Sequence, residues 1–261
     1  MSVSYDRSGS GAPLLLIHGL GGERHIWEPV LDRLTGVRDM IRVDLPGFGA
    51  SPVLPAGVKA TPAALAAAIA ERLDALALDR VHVAGNSLGG WVALELAKAG
   101  RALTVTGIAS AGLWAGPLAP KPYVMRTISR GLLPGLPTLL RGAGARRFAL
   151  AGSVAHPDRV PYEAAVRIVR AYATAPGFVD ANDNMRAGHF TGGDAIDVPV
   201  TMAWCELDRL IARPRRLPFA AHELVLRDCG HVPMYDDPEA VAAVLLAGSA
   251  DRSEAPSATP S

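Results

Sequence analysis

Cysteine is scarce in this chain. The 261 residues contain two, Cys205 and Cys229, too few for a disulfide framework and without the companions of a zinc site. Both are expected to be free thiols, because adjacent parallel strands rarely present two side chains with disulfide geometry. Net charge is nearly absent as well: 26 Lys and Arg stand against 25 Asp and Glu, a balance of +1. That balance gives no reason to expect nucleic acid or an anionic membrane as partner. The opening residues MSVSYDRSGSG lack the basic-then-apolar order of a signal peptide. No apolar run is long enough to cross a bilayer, so the expected location is the cytoplasm. Internal repeats are missing too.

What is present is a substantial core, with 49% hydrophobic and 20% charged residues. Apolar runs alternate with segments of helical spacing. Strands are expected around Val3–Tyr5, Pro13–Ile17, Met40–Val43, Val81–Ala84, Val105–Ala109, Val198–Trp204 and Glu223–Leu226. Between them Trp27, Val30, Leu31 and Leu34 recur at helical spacing, as do Leu65, Ile69, Leu73 and Leu76. Thr61-Pro62 reads as an N-cap with proline at the first helical position. This alternation implies an α/β fold, a mostly parallel twisted sheet with helices on both faces. It lapses over 112–194, which reads as an inserted, mainly helical cap. The core is then 1–111 with 195–247, and 248–261 is a low-complexity tail expected to be disordered.

Ligands of such sheets bind beyond the carboxyl ends of the strands. His18, Asp44, Ser87, Asp208 and His231 all fall there. Gly85-Asn86-Ser87-Leu88-Gly89 turns sharply from strand to helix, and glycines two positions either side relieve the crowding such a turn creates. Ser87 is thereby held clear of the backbone at a helix N-terminus, a place suited to a nucleophile whose product is an oxyanion. A glycine turn with a serine N-cap would look the same in isolation.

A serine needs a base. Of seven histidines, His82 and His222 belong to the opposite end of the sheet, and His25, His156 and His189 lie in no motif. His18 precedes the serine in a glycine loop. His231, after the last strand, is assigned as base. Asp208 ends the preceding strand and is assigned to orient it, with Glu206 as nearest competitor; Asp228, Asp236 and Asp237 read as turn and cap residues. The oxyanion donors are expected to be the backbone N–H of Leu88 and of Leu20, with Gly21 as the substitute for Leu20. Arg24 stands where a dinucleotide motif needs its third glycine, so nucleotide binding is disfavoured.

These residues resemble the α/β-hydrolase fold family from about residue 3 to 247. The matching stretches are His18-Gly19-Leu20-Gly21-Gly22, Asp44 to Ser51, Gly85 to Gly90, Asp208 and Gly230-His231. The resemblance implies a Ser87–Asp208–His231 triad under a cap, a small-molecule substrate, and no cofactor or metal. Serine at 87 argues against the dehalogenase and epoxide hydrolase branches, which use aspartate there. Asn86 is similar to the residue before the nucleophile in hydrolases that cleave carbon–carbon bonds of aromatic ring-fission products. Val232 departs from the tryptophan those enzymes carry, and Cys205 replaces a glycine common in relatives. The leading expectation is a serine hydrolase of carboxylic esters or related acyl compounds. The alternatives are the carbon–carbon hydrolase and a receptor of the same fold without turnover. One arginine of the cap is a candidate to pair with a substrate carboxylate.

Overall fold

Runs such as Leu14-Leu15-Leu16-Ile17 have no polar face, so a strand made from them must be covered on both sides. The computed structural model, which describes residues 3–250, places such strands at the centre of one sheet. Its strands are β1 (Tyr5–Gly9), β2 (Ala12–Ile17), β3 (Arg38–Val43), β4 (Val81–Asn86), β5 (Ala102–Ile108), β6 (Val200–Cys205) and β7 (His222–Leu226). They lie in the order β1-β3-β2-β4-β5-β6-β7. Only the edge pair β1–β3 is antiparallel. β4 and β6 are buried along their whole length.

Alternate side chains feed two apolar layers. Leu15, Ile17 and Val83 join α2 (Pro62–Ala75) and α3 (Leu88–Lys98), which follow α1 (Leu31–Leu34) in the chain. Leu14, Leu16 and Ala84 point the other way, against Leu34 and against Val241 and Leu245 of the last helix. The first helical stretch divides where a single helix was expected. Arg24–Val30 is a 3₁₀ turn and only Leu31–Leu34 is α-helical. Pro29 within it lacks the N–H that an α-helix would use. α2 starts as its sequence implies, with Thr61 Oγ1 accepting from Ala64 N at 3.1 Å and Pro62 in the first turn.

Between β5 and β6 the chain leaves the sheet and forms five helices. They are α4 (Val124–Gly131), α5 (Leu136–Leu139), α6 (Ala143–Leu150), α7 (Tyr162–Thr174) and α8 (Phe178–Ala187). After β7, Asp237 caps α9 (Pro238–Gly248) by accepting from Ala240 N at 2.9 Å. No helix among the described residues is long and apolar enough to cross a membrane. Most of the expected tail, 251–261, lies outside the described residues.

Candidate active site

β4 ends at Asn86 and α3 begins at Leu88, leaving one residue to make the turn. Ser87 carries the strain, with φ 55° and ψ −117°, a conformation that costs a non-glycine residue about 1–3 kcal/mol. The glycines are required by contact. A Cβ on Gly85 would overlap the carbonyl of Gly89, and one on Gly89 would overlap the carbonyl of Ile17. Ser87 N donates to Ile108 O at 3.0 Å, which fixes the turn to the neighbouring strand. Its Oγ has no hydrogen-bond partner among the described residues.

The loops after β6 and β7 bring a carboxylate and an imidazole together. His231 Nδ1 lies 2.8 Å from Asp208 Oδ2, and both side chains are buried. With Asp208 ionised, Nδ1–H donates and Nε2 is left as the free basic nitrogen. Burial by itself would raise the Asp208 pKa. The hydrogen bond and charge of His231, with the N–H groups of Ile211 and Leu210, outweigh it and hold the carboxyl below its ordinary range. Glu206 points elsewhere: it accepts from Asp228 N at 2.9 Å and pairs with exposed Arg227.

Ser87 and His231 are joined through the residue before the serine. Asn86 Nδ2 donates to His231 O at 2.9 Å and to Ile108 O at 3.2 Å. Asn86, in sequence a point of likeness to the carbon–carbon hydrolases, makes a positioning contact in the structure.

The glycine loop after β2 backs onto the serine. A side chain at Gly19 would begin 3.0 Å from Ser87 Cβ. His18 holds that loop: its Nδ1 is 2.7 Å from Gly19 O, and its Nε2 accepts from Leu45 N at 3.0 Å. Complete burial lowers the His18 pKa against the opposing pull of Gly19 O and Asp44, so the ring is neutral. Gly22 N is used by Gly19 O at 3.0 Å. Leu20 N and Leu88 N make no hydrogen bond among the described residues, and Leu88 is the first residue of α3, where N–H groups lack helical partners. Asp44 is a brace for this edge, accepting from Arg24 N at 2.8 Å and Ala50 N at 2.9 Å and pairing with the Arg24 guanidinium.

The inserted helices lie over the loop. A side chain at Gly21 would meet Tyr172 of α7 and Phe178 of α8, whose rings pack edge to face with centroids 5.1 Å apart. Gly177 N bonds Gly47 O at 2.9 Å on the adjoining loop. Arg126 is the insertion's buried arginine, and it is engaged internally. It donates to Tyr172 O at 3.2 Å and Ala175 O at 2.6 Å and lies 5.0 Å from the Phe178 ring centroid.

Asp236 lies in the expected turn, its N–H donating to Pro233 O at 3.0 Å, and its carboxylate does more: it is buried and accepts from Gly230 N at 2.8 Å, Ala155 N at 3.0 Å and His156 N at 2.8 Å. It fixes the backbone immediately before His231 to the insertion. Cys205 and Cys229 are free, as expected, and both are buried. Burial raises the pKa of both thiols, that of Cys229 to about 12.

Residues 14–244 match the Alpha/beta hydrolase family. An epoxide hydrolase of Mycobacterium tuberculosis is 34% identical over 197 residues, which is 67% of this chain and 89% of the relative. A pimeloyl-acyl-carrier-protein methyl ester esterase of Aeromonas hydrophila is 38% identical over 97 residues, 37% of this chain and 36% of that one. A thermophilic esterase from Thermogutta terrifontis, solved with malate bound, shares the fold at a TM-score of 0.70 and 24% identity, covering 93% of this chain and 91% of the other. With the nucleophile-type turn, the paired strand-end loops and these matches together, the chain belongs to the α/β-hydrolase family.

Proposed function

We propose that this hydrolase cleaves a carboxylic ester of a small molecule through an acyl-enzyme on Ser87. The observation that carries the reading is the buried Asp208–His231 pair, held through the His231 carbonyl by Asn86, the residue beside Ser87. Ser87 Oγ attacks the ester carbonyl carbon and its proton passes to His231 Nε2. Asp208 keeps Nδ1–H in place and stabilises the imidazolium. The carbonyl oxygen becomes an oxyanion facing Leu88 N–H and Leu20 N–H. Collapse expels the alcohol, which takes the proton from His231. Water then attacks the acyl carbon with His231 as base, releasing the acid and restoring Ser87. The hydrogen bond from Ser87 Oγ to His231 Nε2 that this step requires forms when substrate is bound. In this reading 1–111 and 195–247 form the catalytic core, and 112–194 is the cap that selects the substrate.

The epoxide hydrolase relative raises a different reaction, and the chemistry of Ser87 speaks against it. Serine opening an epoxide would form an ether, which has no carbonyl for water to attack, and the enzyme would stop after one event. An ester leaves an acyl group that water can remove. The carbon–carbon alternative drew on Asn86. Its amide is spent on Ile108 O and His231 O, which accounts for the residue without a ring-fission substrate. The test is a panel of esters of graded chain length beside a vinylogous diketone acid and a terminal epoxide. Ester turnover is expected; turnover of the diketone acid or epoxide alone would overturn the reading, and turnover of none would favour a receptor.

A further inference from the structure

Helix α4 is oriented against its composition. A surface helix ordinarily turns its apolar stripe inward and its charges outward. Here Val124, Ile128 and the C-cap residue Leu132, at successive intervals of four, are exposed at 58%, 47% and 46%, and Met125 beside them at 50%. The inward side is held by Arg126, 7% exposed and bonded to carbonyls near α7. An apolar crest kept in water by a buried arginine marks a surface with a partner.

The surrounding charge points to the partner's chemistry. From Lys121 through Arg147 the chain has six basic residues, Lys121, Arg126, Arg130, Arg141, Arg146 and Arg147, and no acidic one. Arg147 pairs with Asp158. Lys121, Arg130 and Arg141 are exposed and form no ion pair among the described residues. The overall balance of +1 conceals this segment, which is why whole-chain charge gave no reason to expect an anionic membrane.

We propose that the α4 face docks on an anionic lipid surface. Four aliphatic side chains on a helix crest enter the headgroup region, and the neighbouring cations meet lipid phosphates. A bilayer accepts any aliphatic crest, whereas a protein partner would need a groove shaped for it. A second copy would bring its own excess of arginines against these. This contact is peripheral and agrees with the lack of a membrane-crossing helix among the described residues. It depends on neither Ser87 nor the nature of the substrate.

The experiment is co-sedimentation of the full chain with vesicles of phosphatidylglycerol and phosphatidylcholine in equal parts, beside vesicles of phosphatidylcholine alone. Wild-type protein is expected to sediment with the anionic vesicles only, and high salt is expected to release it. The double variant Ile128→Ser/Leu132→Ser and the double variant Arg130→Ala/Arg141→Ala should each weaken binding at least about tenfold. Both should keep the thermal midpoint and the hydrolysis of a soluble short-chain ester. Failure to bind anionic vesicles overturns the proposal, as does binding that neither variant weakens. Retention on immobilised polyglutamate without vesicle binding also overturns it, in favour of an acidic protein. A wild-type dimer that the Ile128→Ser/Leu132→Ser variant dissolves, again without vesicle binding, overturns it in favour of self-association.

Discussion

Asn86 donates its side-chain amide to the carbonyl of His231 at 2.9 Å. The residue next to the proposed nucleophile therefore fixes the backbone of the proposed base, across 145 positions of sequence. Asn86→Ala should lower kcat about ten- to hundredfold, the range for a catalytic group displaced by about an ångström. KM should change little, because the amide contacts no substrate. Steady-state ester hydrolysis checks this; a change confined to KM would contradict a positioning role.

Asp208→Asn should cost about ten-thousand-fold in kcat, since an amide favours the wrong imidazole tautomer. Glu206→Gln should stay within about twofold, as expected for an exposed group away from the imidazole. The two variants compared in one assay decide which carboxylate serves His231. Reversed severity would assign the role to Glu206.

Much of this site could be read in the chain because it is built at strand ends. Five apolar runs of a parallel sheet place whatever follows them on one edge, so His18, Asp44, Ser87, Asp208 and His231 could be located from the sequence. The elbow was legible for a local reason: both glycines are demanded within five residues. Asp236 was legible as a turn residue, but its hold on the inserted segment was not. Its partners Ala155 and His156 lie 81 and 80 positions away, and a short acidic residue before a helix looks like a cap. The orientation of α4 was hidden too, because spacing marks an apolar stripe and says nothing of which way it faces. The break of the first helix into a 3₁₀ turn was signalled by Pro29, which the apolar spacing around it obscured.

Asp236→Asn retains the shape but replaces one acceptor oxygen with a donor facing backbone N–H groups. It should lower both the thermal midpoint and kcat, because unsatisfied buried groups cost about 1–3 kcal/mol and the loop before His231 loosens. Ester kinetics and calorimetry measured on the same sample check it. Unchanged kcat in a destabilised protein would leave Asp236 a structural residue only.

Stability should fall with acid in two stages. His18 has a folded pKa below its ordinary 6.5, so the unfolded chain binds the proton more readily. Its contribution is complete above pH 6.5 and is lost as the pH falls from there through the folded value. Asp208, also lowered, adds its loss below the ordinary carboxyl value of 3.8. Urea midpoints measured across this range should decline, and His18→Gln should flatten the upper stage. An equal slope in the variant would place the acid sensitivity elsewhere.

The central claim is that Ser87 forms the acyl-enzyme. The most direct measurement is intact-protein mass after treatment with a fluorophosphonate, followed by peptide mapping. One adduct per chain is expected, located on Ser87, and the Ser87→Ala variant should remain unlabelled, fold normally and lose ester turnover at least about a thousandfold. An adduct on another residue, or a Ser87→Ala variant that still hydrolyses the ester at the wild-type rate, would contradict the account.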